Sequence, residues 1–257
     1  MSNTTAFYLW KGERQALIER HLFYFNQAKK RLLSHWTDIE GEANAFADNW
    51  IKEHEQYFDP TRHNHLEFEK QATEEAQGFY LLLSDMKKSA ELSVLAGMYH
   101  EWDKQLREWL SKEFREWYQG RHVLSKLWSS NFDQIIDLVK IMILRSDSID
   151  YLDKLDACQL VVNVYKHGDG RSFEQLKANY PEYIRNTFPE FDNDTAFGDL
   201  RHYSDVEVND SQLDEFSNAI IAFWKGIPER VMLSQIKQVP NWLEKAIQKD
   251  EREKTHD

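Results

Sequence analysis

An all-α fold, a bundle of long helices, is the class this sequence predicts, and three observations predict it. Breakers are scarce, with 9 Gly and 5 Pro in 257 residues, and each would cost a helix interior roughly 1–3 kcal/mol. Apolar residues recur at spacings of three and four over most of the chain, the period of a helix face. Strand-like alternation is confined to Asp205-Val-Glu-Val-Asn, so at most a minor β element near 205–209 is expected.

The elements follow in order. Leu17, Leu22, Phe25, Ala28, Leu32 and Trp36 trace one drifting face within residues 13–58, with Gly41 expected to split the segment in two. Phe58-Asp-Pro-Thr-Arg is the first clear turn. Residues 65–118 are again helical, with a break expected near 85–89. Their second part carries Leu95, Tyr99, Trp102, Leu106, Trp109, Leu110 and Trp117 on one face, beside a polar strip of His100, Asp103, Lys104 and Arg107. Asn131 and Gln134 read as a capping box opening a helix to about Leu144. A further helix from Asp147 or Ser148 runs to His167, where Gly168 supplies the stop. Ser172 with Gln175 is expected to cap a short helix ending before Pro181. Helix resumes from Ser211 through Phe223, and Pro240 opens a last amphipathic helix. Residues 1–60 are expected as a helical extension packed on a main domain of residues 61–257.

Composition bounds the function. The chain carries 32 Lys and Arg against 44 Asp and Glu, a net charge of −12, which argues against general charge-driven nucleic-acid binding. Residues 188–215 hold nine acidic side chains against Arg201 alone, a candidate contact surface for a protein partner. With Cys158 as the single cysteine, no internal disulfide can form, and its apolar setting points to core packing. No apolar run approaches the ~20 residues of a membrane span and no leader pattern opens the sequence, so cytoplasmic residence is expected. The 9 Trp and 11 Tyr supply core volume and material for an interface.

Standard catalytic signatures are missing from the sequence. There is no Gly-rich phosphate loop, cysteine zinc pattern or nucleophile elbow. Asp192-Asn-Asp194 lacks the glycine and glutamate positions of a calcium loop. His63, His65 and Glu67 lack the fourth ligand of a structural zinc site. No metal or cofactor is expected.

The informative segment is Leu160-Val-Val-Asn-Val-Tyr-Lys-His-Gly-Asp-Gly-Arg. Asp156, Asn163 and His167 share one helix face, while Leu155, Cys158, Val162 and Tyr165 take the face expected toward the core. A polar stripe on an otherwise apolar helix needs partners, because burying an unpaired amide or imidazole costs free energy. Lys166 and Arg171 flank His167 at the helix end, a small positive cluster in an acidic chain. An imidazole, an amide and cations so placed can position and cleave a phosphodiester; equally, Asn163 and His167 can hydrogen-bond a neighbouring helix.

Asn163-Val-Tyr-Lys-His167 resembles the second part of the Arg-Asn-x-x-x-His motif of the HEPN superfamily, helical-bundle proteins of bacterial toxin–antitoxin and phage-defence systems. Tyr99-His-Glu-Trp-Asp-Lys-Gln-Leu-Arg-Glu-Trp and Lys166-His-Gly-Asp-Gly resemble bacterial proteins carrying such a domain, and the likeness spans residues 99–228 in outline. It implies a metal-independent endoribonuclease that works as a homodimer on RNA, with His167 catalytic, Asn163 its polar partner, and control by a protein encoded nearby. The motif arginine is replaced by Val162. Arg107 or Lys104 would then have to hold the phosphate, with Lys166, Arg171 and His100 binding substrate. The alternative implied by that replacement is a non-catalytic module of the same fold, binding a protein partner, a nucleotide or RNA.

Overall fold

The computed structural model describes residues 4–59, 62, 64–144, 150–186 and 201–254. The fold is all-α: 82% of it is helical, and among the described residues the one sheet has two short strands. The chain divides into two compact units, residues 26–94 and residues 1–25 with 95–257.

Among the described residues the larger unit is built on two strands and eight α-helices. Strand β1 (Thr5–Tyr8) pairs antiparallel with β2 (Arg230–Met232), with a bulge between Thr5 and Phe7. Helix α1 (Lys11–Ala28) enters the unit with residues 11–25, and α3 (His65–Trp117) with residues 95–117. Helices α4 (Arg121–Ser129), α5 (Phe132–Leu138), α6 (Asp150–His167), α7 (Arg171–Asn179), α8 (Asp210–Gly226) and α9 (Asn241–Lys254) follow. A π-helical turn, Val139–Leu144, continues α5, so the helix predicted from Asn131 to Leu144 is present, opened by the Asn131–Gln134 capping box.

Helix α6 packs against α7 and α8, and α4 against α9. The core is aromatic: the Trp102 ring meets Phe223 edge-on at 5.1 Å, and Phe7 meets Phe114 at 5.5 Å. Such pairs add about 0.5–1.5 kcal/mol beyond the area they bury. Leu95, Tyr99, Trp102, Leu106, Trp109 and Leu110 are buried as their spacing predicts. On α1 the buried residues are Ile18, His21, Phe25 and Ala28, so Phe25 and Ala28 are buried as expected, whereas Leu32, expected on the same face, is exposed.

The smaller unit contains helix α2 (Ile39–His54) and residues 65–94 of α3. The break between α1 and α2 does not fall at Gly41. It falls at a π-helical turn, Lys29–Leu33, and a 3-10 turn, Ser34–Trp36, after which the Asp38 carboxylate caps α2 by accepting from the Gly41 N–H at 3.0 Å. Gly41 therefore sits inside the first turn, where a side chain would strike that carboxylate. The break expected near residues 85–89 is absent; α3 is one 53-residue helix. Phe46 stacks on Phe79 at 4.6 Å, and the Trp50 and Phe68 rings meet at a tilt with centroids 5.2 Å apart. Small residues, Ala43, Ala72 and Ala76, occupy buried positions, while Leu66, Leu81, Leu82 and Met86 are each more than half exposed.

The β element lies elsewhere than expected. Residues 205–209 form no strand: Val206 makes a single bridge to Ile184 after a 3-10 turn, Tyr203–Asp205. The real sheet joins residues near the two ends of the described chain, a pairing that short-range alternation cannot reveal. Among the described residues no helix is long and apolar enough to cross a membrane. His63, the Asp192–Asp194 run, the helix start expected at residues 147–148 and the first part of the acidic 188–215 segment lie outside the described residues.

Candidate functional site

Helix α6 ends where the sequence predicts. Gly168 adopts φ +72° and donates its N–H to the Val164 carbonyl at 2.8 Å, a left-handed stop that a residue with a Cβ adopts only under strain. Gly170, at φ +149°, then occupies the N-cap position of α7. Ser172 is the second residue of α7, inside its first turn, and does not cap that helix.

The polar stripe on α6 is absorbed largely by α7. Asp156 accepts a hydrogen bond from the Tyr180 hydroxyl at 3.0 Å, and burial raises its carboxyl above the ordinary range despite that bond. Asn163 donates through Nδ2 to the Ser172 hydroxyl at 3.5 Å. His167, Lys166 and Arg171 are exposed together at the α6–α7 turn, and among the described residues the His167 ring makes no hydrogen bond or ion pair. Tyr165, expected in the core, is 41% exposed. Val162 is 1% exposed, so the position of the motif arginine faces the core and could not present a cation to ligand.

Arg107 is the largest departure from the sequence reading. Only 7% of it is exposed. Its guanidinium donates Nε–H to Asp103 at 2.8 Å and Nη1–H to the carbonyls of Leu127 at 2.7 Å and Ser130 at 2.9 Å. Those carbonyls belong to the end of α4, where the helix leaves acceptors without internal partners. Arg107 therefore caps α4, and its donors are occupied. His100 and Lys104 are exposed on α3 and make no hydrogen bond or ion pair with α6 among the described residues. Of the seven residues singled out, Lys166, His167 and Arg171 are exposed where α6 ends and α7 begins, Asn163 is half-buried and bonded to Ser172, and the α3 residues serve elsewhere or stand apart.

A feature the sequence reading missed is a groove of 760 Å³ between α4 and α9. One wall carries His122, Ser125, Lys126 and Ser129, which recur at helical spacing along α4. The other carries Trp242, Lys245 and Lys249 along α9. The spacing within each helix was legible; their juxtaposition was not. A second cleft, of 520 Å³, has the opposite character, lined by Asp133, Asp137, Asp153 and Asp156 with Lys140.

No protein-family model, curated protein or solved structure matches this chain.

Proposed function

We propose that this chain is a HEPN-like interaction module without nuclease chemistry, and that it self-associates through its 26–94 unit. The observation that carries this reading is the Arg107 guanidinium, buried and bound to three acceptors at the end of α4. Phosphodiester cleavage needs a cation aimed at the charge that develops in the transition state. The motif position holds a buried valine, and the nearest substitute from the predicted set that could be fixed in place is committed to structure. The surface of the smaller unit supports the association: Leu82 and Met86, one turn apart on α3, are 70% and 61% exposed while alanines occupy its buried positions, and adjacent exposed apolar side chains mark interaction surfaces.

A nuclease reading retains one supporting observation, the exposure of His167, Lys166 and Arg171 at the end of α6 and the start of α7. One experiment separates the two. Purified chain is incubated with total RNA in chelator, and its mass is measured by sedimentation as wild type and as Leu82→Glu/Met86→Glu. The interaction reading expects intact RNA, a dimer, and dissociation in the double variant. RNA cleavage that disappears in His167→Ala would instead restore the nuclease, and a wild-type monomer at high micromolar concentration would remove the self-association.

A further inference from the structure

We infer that the α4–α9 groove is a binding site for a nucleoside phosphate. This stands apart from the interaction reading and uses none of its residues. The groove volume of 760 Å³ lies inside the ~300–1,000 Å³ range of small-molecule sites, so it has room for one nucleotide. Its charge is opposite to that of the chain. Lys126, Lys245 and Lys249 line it against one carboxylate, Asp137, whereas the whole protein carries −12.

Among the described residues none of these lysines is held in an ion pair or a hydrogen bond. The local acids are engaged otherwise. Asp250 accepts from the backbone N–H groups of His122 and Val123, and Glu253 accepts from the His122 ring at 2.7 Å and pairs with Arg121. Three ammonium groups without counter-charges on facing helices form a trap for a polyanion, since each can give a charge-assisted hydrogen bond to phosphate oxygen.

Trp242 supplies the second half of the recognition. It lies half-buried in the groove wall beside the lysines. An indole face among cations is the arrangement that stacks a nucleobase while its phosphates are neutralised. Ser125, Ser129 and Asn241 add short polar groups at the rim. The combination selects a flat ring joined to several negative charges. It does not select a bare anion or an apolar ring.

The test is isothermal titration of the full chain with ATP, GTP, inorganic tripolyphosphate and adenosine, together with a 5′-phosphorylated single-stranded RNA. Expected is saturable 1:1 binding of the nucleoside triphosphates, weaker binding of tripolyphosphate, and none of adenosine. Lys245→Ala/Lys249→Ala should weaken ATP at least about tenfold, the scale of one lost charge-assisted hydrogen bond. Trp242→Phe, which keeps the packing, and Trp242→Leu should grade the loss for ATP but leave tripolyphosphate unchanged, with Leu costing on the order of five- to a hundredfold as a lost stack does. Lys225→Ala, on the exposed side of α8, should change nothing. Thermal melts accompany each variant, so that a loss of affinity counts only in a folded protein. Absence of ATP binding at millimolar concentration overturns the inference, as does binding indifferent to the lysine and tryptophan changes. RNA that displaces ATP from the same lysines with higher affinity reassigns the groove to nucleic acid and overturns it as well.

Discussion

The Asp250 carboxylate, on α9, fills the space that a side chain at Gly120 would occupy, and from there it accepts the His122 N–H at 2.8 Å and the Val123 N–H at 3.1 Å. Gly120 is the N-cap residue of α4 and has no side chain with which to cap it; an aspartate from another helix does so in its place. At the far end Arg107 binds the terminal carbonyls. A nine-residue helix, too short to persist alone, is thus held by an anion at its N-terminus and a cation at its C-terminus, the polarity its dipole favours. Asp250→Ala should therefore destabilise the larger unit by about 1–3 kcal/mol, since the Val123 N–H is left buried and unpaired. Gly120→Ala should destabilise it too, by displacing the same carboxylate, and the double variant should cost less than the sum of the two. Urea unfolding of the three variants decides this, and full additivity would separate the two residues.

Arg107 carries a larger expected effect. Its removal leaves the Leu127 and Ser130 carbonyls short of a donor and the partly buried Asp103 without its counter-ion. Taking one partner from a buried charged pair costs roughly 3–5 kcal/mol. Arg107→Ala should lower stability on that scale, and Arg107→Lys should recover little, because one ammonium cannot reproduce the fork that spans a carboxylate and two carbonyls. A melting temperature unchanged in Arg107→Ala would mean that the residue is free for another role.

These two cappings show what the sequence could and could not disclose. The Asn131–Gln134 box and the Leu95–Leu110 apolar row were legible because their signals repeat within one or two helical turns, and both stand in the structure. Arg107 looked like part of an exposed strip because its partners lie on the next helix, beyond any local spacing. The β1–β2 pair escaped notice for the same reason, as Thr5 meets Met232 across nearly the whole chain. On α6, Asn163 and Asp156 were correctly singled out as needing partners, but only the fold reveals that α7 provides them. The spacing puts Tyr165 on the core side, yet α6 is wide enough in its apolar arc, through Leu160, Val161 and Val164, to leave a tyrosine outside.

The exposed edge of β1 is closed by a side chain. The Tyr8 N–H donates to the Glu113 carboxylate at 2.7 Å, and Glu113 is 5% exposed. Burial raises its carboxyl above the ordinary range, while the Tyr8 N–H and the Lys112 ammonium, 3.7 Å away, pull the other way. Glu113→Gln keeps an acceptor and removes the buried charge, so stability at neutral pH should change by less than about 1 kcal/mol. Glu113→Ala leaves the strand amide unpaired and should cost about 1–3 kcal/mol. Amide exchange at Tyr8 is the sharper measurement: it should quicken in Glu113→Ala and stay protected in Glu113→Gln. Equal exchange in both would show that water or another group serves that amide.

Acid sensitivity should have one identifiable source in His21. Its ring lies inside the larger unit, 6% exposed, with Nε2 2.9 Å from the Ser217 hydroxyl on α8. Burial lowers its pKa to about 4, and the Ser217 contact offsets only part of that. In the unfolded chain the ring takes up a proton near 6.5, whereas in the native protein it does so only near 4. Between those values the unfolded state holds more protons, so the native state loses stability as pH falls. The loss begins below pH 6.5, reaches about 2 kcal/mol by pH 5 and levels off near roughly 3 kcal/mol below pH 4. Above pH 6.5 the ring is neutral in both states and contributes no slope. Glu113 and Asp156, whose carboxyls are raised by burial, act with the opposite sign, becoming less unfavourable to the fold as they protonate. The wild-type curve alone therefore mixes these effects, and His21→Leu isolates the histidine. The variant should be less stable at pH 7.5, where the Ser217 hydroxyl loses its partner, and its stability should fall less steeply than wild type between pH 6.5 and 4. Urea unfolding at half-unit pH intervals gives both curves. Parallel curves through that window would show that the His21 ring gains its proton in the native state as readily as in the unfolded one.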